Sequence, residues 1–221
     1  MAPPIYAVFA FIDLANNIAD SAYMGAHASA DSSGNLPVHP YPMVSSIDGE
    51  TGPTDLVGYG FPEFFNEVTV ILLGKAMYDV LMLSNNGRWP YPAKRVVVLA
   101  STPLDRPSAD LDTGDVQWEV EPTVKAFSGT VQDFQAKLVK EGLKKKWGRD
   151  LVWVLGGAAL IDTIMEIKLI DRVDLVVLPC VFPAATPFWK GSRHGVLHKL
   201  ELIESHATVD GAVCSSYSVA H

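Results

Sequence analysis

The stretch from Asp150 to Asp162, Asp-Leu-Val-Trp-Val-Leu-Gly-Gly-Ala-Ala-Leu-Ile-Asp, constrains the fold more than any other. Residues 151–155 are all apolar, meet two glycines, and pass directly into Ala158-Ala159-Leu160-Ile161, a helix-forming run. A short apolar run bounded by turn residues is a strand buried on both faces, as in a parallel sheet covered by helices. Gly156 and Gly157 carry no Cβ, so the backbone there can come close to a ligand. The helix that follows aims its free N–H groups and positive dipole end at the same point, which suits a phosphate. A glycine pair on its own is equally compatible with a tight strand-to-helix turn that holds nothing.

The other segments extend this pattern. Residues 5–12 form a strongly apolar strand that ends at Asp13, and Asn16-Asn17 supplies turn chemistry. Residues 20–60 are rich in Gly, Ser, Pro, Asp and Asn, and a loop of this length in a compact domain is usually a lid or binding loop. Within it, residues 43–49 read as a short strand and turn. A short helix is expected over 62–66, with Pro62 in its first turn. The second strong strand, 68–73, runs through Gly74-Lys75 into a helix over 76–83, closed by Asn85-Asn86-Gly87. Residues 88–92 are a rigid connector, and 95–100 are a third strand, ended by Ser101-Thr102-Pro103. A polar loop with a short strand over 116–120 comes next. Residues 130–146 have helical spacing, with Val131, Phe134, Leu138 and Leu143 inward and the lysines solvated. After the glycine turn a helix runs to Lys168, a strand covers 172–178, and 199–208 with 212–219 make a hairpin around Asp210-Gly211.

Strands alternating with helices and finished by a hairpin give an α/β sandwich with a mostly parallel sheet, here a single domain over 1–221. The turns after Leu73, Ala100 and Leu155 line one edge of that sheet, where open parallel sheets bind ligands. The formal charge of −8, from 17 basic and 25 acidic residues, argues against nucleic acid or an anionic membrane surface as the main partner. Residues 5–12 are too short to span a bilayer and no basic residue precedes them. Two cysteines in strand-like contexts, Cys180 and Cys214, fit a reduced, cytoplasmic protein better than a disulfide scaffold. Neither has metal-ligand spacing, and Gly195 argues against a helical metal pair at His194 and His198, so no metal site is expected.

Several segments, taken together and in order from residue 62 onward, resemble the dihydrofolate reductase-like superfamily. They are most similar to the reductase domain of bacterial riboflavin biosynthesis enzymes and its uncharacterised relatives. The matching pieces are Leu72-Leu-Gly-Lys-Ala-Met-Tyr-Asp79, the run from Trp89 to Ser101, Trp153-Val-Leu-Gly-Gly-Ala-Ala-Leu160, Leu169-Ile-Asp-Arg-Val-Asp-Leu175, the stretch from Pro179 to Trp189, and the hairpin at Gly211. The resemblance implies the three-layer fold of that superfamily and an NADPH site. Gly156, Gly157, Ala158 and Ala159, flanked by Leu155 and Leu160, correspond to the pyrophosphate cradle. Gly74 and Lys75 fall near the adenosine phosphate, Ser101 and Thr102 on the adenosine side, and Ala7 beside the nicotinamide. Lys75 and Met77 stand where the family has arginine and threonine, so the planar fork and the hydroxyl are replaced by a point charge and a thioether.

Dihydrofolate reductases carry a carboxylate near the start of the helix before the second strand. Here the best-matching position has none, and Glu63 follows two or three residues later, which argues against folate. The riboflavin-type relatives carry Ser-Leu-Asp-Gly at the end of the first strand. Ser46-Ile-Asp-Gly49 matches it in letters, and the segment from Asp13 to Asp20 matches it in position. Asp13 and Asp48 are thus the candidate acids, with Glu63 third. The resulting expectation is an NADPH-dependent reductase, acting as a homodimer on a small heterocyclic or imine-type substrate. A non-redox enzyme performing a cyclisation or isomerisation, or a binding protein, remains open on the same scaffold.

Overall fold

The computed structural model describes residues 4–12, 17–19, 47–48, 52–53, 57–91, 94–105, 118, 121–141, 150–181, 185–189 and 197–221. In chain order the strands are β1 (Ile5–Ile12), β2 (Asn17–Ala19), β3 (Ile47–Asp48), β4 (Gly52–Pro53), β5 (Val68–Gly74), β6 (Arg95–Leu99), β7 (Val124–Phe127), β8 (Leu151–Gly156), β9 (Ile170–Val177), β10 (Ala185–Pro187), β11 (Lys199–Ala207) and β12 (Val213–Ala220). The helices are α1 (Phe61–Glu67), α2 (Lys75–Ser84), α3 (Val131–Glu141) and α4 (Ala158–Glu166), with a 3-10 turn at Val57–Tyr59.

Eight strands form one sheet in the order β11-β12-β9-β1-β8-β5-β6-β7. All neighbours from β9 to β7 are parallel, whereas β12 pairs antiparallel with both β9 and β11. The architecture is therefore the three-layer dihydrofolate reductase-like fold, with a mostly parallel sheet and a C-terminal hairpin. Crossovers between parallel strands are right-handed. The β1-to-β5 and β5-to-β6 connections move one way along the sheet and put α1 and α2 on one face. The β7-to-β8 and β8-to-β9 connections move back and put α3 and α4 on the other.

The central strands owe their burial to that sandwich. Every residue of β8 is buried, and seven of the eight in β1 are. The heaviest packing gathers around Trp153, which is wholly buried and lies 5.2–6.3 Å, centroid to centroid, from Phe61, Phe64, Phe65 and Tyr91. Three of those rings come from α1, a seven-residue helix that Gly60 opens with φ +75 and Pro62 begins. Such a short helix is held by its buried phenylalanines, since its own hydrogen bonds are too few. Trp153 thus ties α1 to the strand that leads into the glycine turn.

Several boundaries differ from the sequence reading. β9 begins at Ile170, two residues earlier than expected, and Asn17 starts a strand that pairs antiparallel with β10 where turn chemistry was expected. The edge strand β7 was not anticipated: only Val124 of its four residues is buried, so it carries almost no hydrophobic pattern. The expected strand over 116–120 lies outside the described residues, apart from Trp118, which is in no strand. The helix expected to reach 146 is described to Glu141, with Val131, Phe134 and Leu138 buried as expected; Leu143 lies outside. Of the long loop 20–60, the described residues include the small hairpin β3-β4 and the 3-10 turn.

Candidate functional site

Parallel pairing brings the ends of β8, β5 and β6 to one edge, and the register places them side by side. Leu73 lies opposite Gly156, and Gly74 lies opposite Leu99. The glycine turn, the Gly74-Lys75 turn and the Ala100–Thr102 turn therefore follow one another along the same edge. Each of the first two opens a helix. Gly157 is the cap of α4 and Gly74 the cap of α2, and neither helix start has a side-chain capping hydrogen bond. The first N–H groups of a helix have no partner within it, so both ends offer donors outward.

The two glycines of the turn serve different ends. Gly156 sits at φ +106, a region that favours glycine on backbone grounds alone. At Gly157 an added Cβ meets nothing within 4 Å, and the same is true at Gly74. Open space over the backbone at both helix starts makes a cradle that a side chain would fill. Ala158 is buried, Ala159 exposed, and Leu155 fully buried beneath the turn. Ser101 and Thr102 are exposed on the neighbouring turn. Ala7 lies opposite Trp153, three residues short of Gly156, and is completely buried.

Lys75 is not a solvated lysine. Its side chain is only 12 % exposed, and its ammonium pairs with the fully buried Asp79 one turn along α2. It also lies 5.8 Å from the ring centres of Tyr78 and Trp118.

A second concavity, of about 250 Å³, lies away from these turns, between α1 and the β9-β12-β11 side of the sheet. It is lined on one side by Tyr59, Glu63, Phe64 and Glu67, and on the other by Arg172, Asp174, Glu204, His206 and Ser216. Arg172 makes an ion pair with Asp174 at 2.8 Å and a longer one with Glu67 at 3.4 Å, and it lies 5.9 Å over the Phe64 ring. The Ser216 hydroxyl donates to Asp174 Oδ1. Burial pushes the Asp174 carboxyl above its ordinary range, and Arg172 and Ser216 pull it part of the way back. At the upper end, the Tyr59 hydroxyl donates to Asp210. Of the candidate acids, Glu63 is exposed in the first turn of α1 and lines this cavity. Asp48 is described only as a strand residue, and Asp13 lies outside the described residues.

The cavity was not anticipated from the sequence, although a sign of it was there. Arg172 and Asp174 are two apart in a strand, so both charges fall on one face of it. Glu67, Glu204, His206 and Ser216 carry no such mark. Among the described residues, no group of three or more His, Cys, Asp or Glu side chains could hold a metal ion, and no helix is long and apolar enough to cross a membrane. Cys180 and Cys214 are not disulfide-bonded to each other.

A family profile described as "RibD C-terminal domain" matches residues 59–214. The uncharacterized protein YyaP of Bacillus subtilis (strain 168) is 25% identical over 182 residues, covering 76% of this chain and 85% of that protein. A solved putative riboflavin biosynthesis protein from Shewanella sp. PV-4 superposes with a TM-score of 0.66 at 19% identity, covering 98% of this chain and 99% of that one. Dihydrofolate reductase from Enterococcus faecalis, solved with NADP(H) and RAB-propyl, gives a TM-score of 0.52 at 14% identity, covering 98% and 97%. At these identities the solved structures speak to the fold alone.

Proposed function

The chain belongs to the RibD C-terminal domain family, and from that premise we propose that it is an NADPH-dependent reductase acting on a small heterocyclic substrate with an imine or conjugated bond. One observation carries most weight: the register that sets the starts of α4 and α2 next to each other at the carboxyl edge of the parallel sheet. Two helix dipoles and two open glycine backbones there suit a polyanionic cofactor. Gly156, Gly157, Ala158 and Ala159 would hold its pyrophosphate, with Leu155 and Leu160 on either side. Gly74 and Lys75 would face the adenosine phosphate, with Ser101 and Thr102 beside it and Ala7 under the nicotinamide.

When bound, the nicotinamide supplies the hydride, and the protein supplies orientation and a proton. The proton would come from Asp13, Asp48 or Glu63, because one acid suffices to protonate or polarise the acceptor. The same proposal includes a single catalytic domain over 1–221, a homodimer, and a cytoplasmic location.

Lys75→Ala tests the choice of cofactor. NADPH binding is expected to weaken by about 1–3 kcal/mol, the size of a charge-assisted hydrogen bond, while NADH, which lacks the 2′-phosphate, barely changes. The variant should also unfold more easily, because the buried Asp79 loses a charge partner, a loss of up to about 3–5 kcal/mol in buried pairs. Titrations are therefore made at a temperature where circular dichroism shows both proteins folded. Equal losses for the two nucleotides would move Lys75 to the shared pyrophosphate. No loss for either would leave the pairing with Asp79 as its whole role.

Dihydrofolate should be a poor substrate. The pterin would have no ionised acceptor at the matching helix position, so its protonated form is not favoured. A steady-state assay with NADPH is the check, and turnover of ~1 per second or faster would restore Glu63 as the folate acid.

A further inference from the structure

We propose that a second copy of this chain docks, sheet face on sheet face, against the side of β9, β12 and β11 turned away from α1; this rests on the homodimer reading above and names its contact. The register sets these strands in rows. Val173 lies opposite Tyr217, and Tyr217 opposite Leu202. Leu175, Ser215 and Ser205 form the next row, and Val177, Val213 and Ala207 the third. Directly opposed residues share a face, and the Ser205 and Ser215 hydroxyls, 3.0 Å apart, show that they do. The bulge between Leu202 and Glu204 leaves Ile203 unopposed, and alternation back from Ser205 turns it to the same side as Leu202. No residue of this face, from the first row to the third, is charged. The alternate positions of the same strands, on the α1 side, hold Arg172, Asp174, Glu201, Glu204 and His206.

Burial falls away along the rows toward the edge of the sheet. Val173 is wholly buried, whereas Leu202 is 59 % exposed, Ile203 60 % and Val213 40 %. With Val209 at the hairpin turn, this hairpin holds four of the seven large apolar side chains that are exposed among the described residues. Such a concentration marks a contact surface. Two features select a second copy as what covers it. A two-fold axis brings a patch against its own image, and for a chain of charge −8 that image repels unless the patch is uncharged. The rows are also complementary to themselves. An axis across the strands, along the serine row, sets bulky Tyr217 and Leu202 against small Val213 and Ala207 of the other copy. Serine then meets serine, and a hydroxyl both donates and accepts. The open edge of β11 is not the contact, since the bulge and the charges of Lys199, Glu201 and Glu204 guard it against strand pairing.

Sedimentation velocity of the full chain over a dilution series tests this, and the wild type is expected to run as a dimer that dissociates on dilution. Leu202→Asp and Ser205→Glu lie at exposed positions, so neither disturbs the core. Each should raise the dimer dissociation constant about a hundredfold or more, because the new charge enters the contact twice. Circular dichroism melts check that both remain folded. Glu201→Gln, on the other side of β11, should leave the dimer as it is. Hydrogen exchange of the wild type needs no variant: dilution into the monomer should speed exchange over 202–207 and 213–217. A wild type that is monomeric throughout would overturn this contact and the homodimer reading together. A folded Leu202→Asp or Ser205→Glu as dimeric as the wild type, dissociation by Glu201→Gln as well, or unchanged exchange over those strands would overturn the contact and leave the homodimer reading standing.

Discussion

Replacing Gly157 with valine is expected to remove NADPH binding while leaving the fold in place. Among the described residues, a Cβ built at this position meets no atom within 4 Å apart from its own chain neighbours, so the side chain has room. What it fills is the space above the uncapped start of α4, where a pyrophosphate would approach the backbone. Losing that approach forfeits hydrogen bonds to a charged group, about 1.5–3 kcal/mol each, and the branched side chain adds steric exclusion. Tryptophan fluorescence follows the titration, with Trp153 three residues from the turn. Thermal unfolding of the free variant within a few degrees of the wild type would confirm an intact fold. Equal affinity of both proteins for NADPH would refute the cradle. Gly156→Val would be a poorer experiment, because its φ of +106 makes any side chain strained whatever binds there.

Trp153→Ala should be the most destabilising single change in the β8 strand. The side chain is fully buried against four aromatic rings, and truncations of this kind cost about 3–5 kcal/mol through lost transfer energy and the cavity left behind. Denaturant unfolding followed by circular dichroism measures it. Trp153→Phe should cost much less, since it keeps most of the ring and the indole Nε1 has no hydrogen-bond partner among the described residues. If the alanine variant lost under ~1 kcal/mol, the α1 packing described above could not be what holds that helix.

The parts of this fold that the sequence displays are those where burial forces a pattern. β1, β5, β6 and β8 announce themselves because both faces are covered, and the C-terminal hairpin because Asp210-Gly211 needs the positive φ that Gly211 adopts. β7 escapes notice for the opposite reason, having one buried residue to mark it. The turns of the candidate cofactor edge were legible as local strand-glycine-helix junctions. Their sharing one edge was expected from the parallel pattern, but their order along it was not, because it depends on the strand order β8-β5-β6, which no local pattern encodes. The setting of Lys75 was legible only in part: helical spacing places Asp79 one turn away, but only packing shows that carboxylate fully buried. The cavity beside α1 is assembled from strands more than a hundred residues downstream of that helix, so its lining could not be collected from sequence.

The position of β1 also has a bearing on how the chain reaches this state. The first long strand in sequence lies in the middle of the sheet, with β8 on one side and β9 on the other. Its nearest partners in the chain begin at Leu151 and Ile170, as in the pairings Ile5 with Leu151 and Tyr6 with Ile170. None of its ladder hydrogen bonds can form until most of the polypeptide exists. Until then an eight-residue apolar strand has both edges open, the condition that invites mispairing in slow-folding parallel sheets. The β5-β6 pair can close far earlier, since one short helix and a connector join its two strands. In order of synthesis, the strand made first therefore gains its two partners only after β5, β6 and β7 have been made.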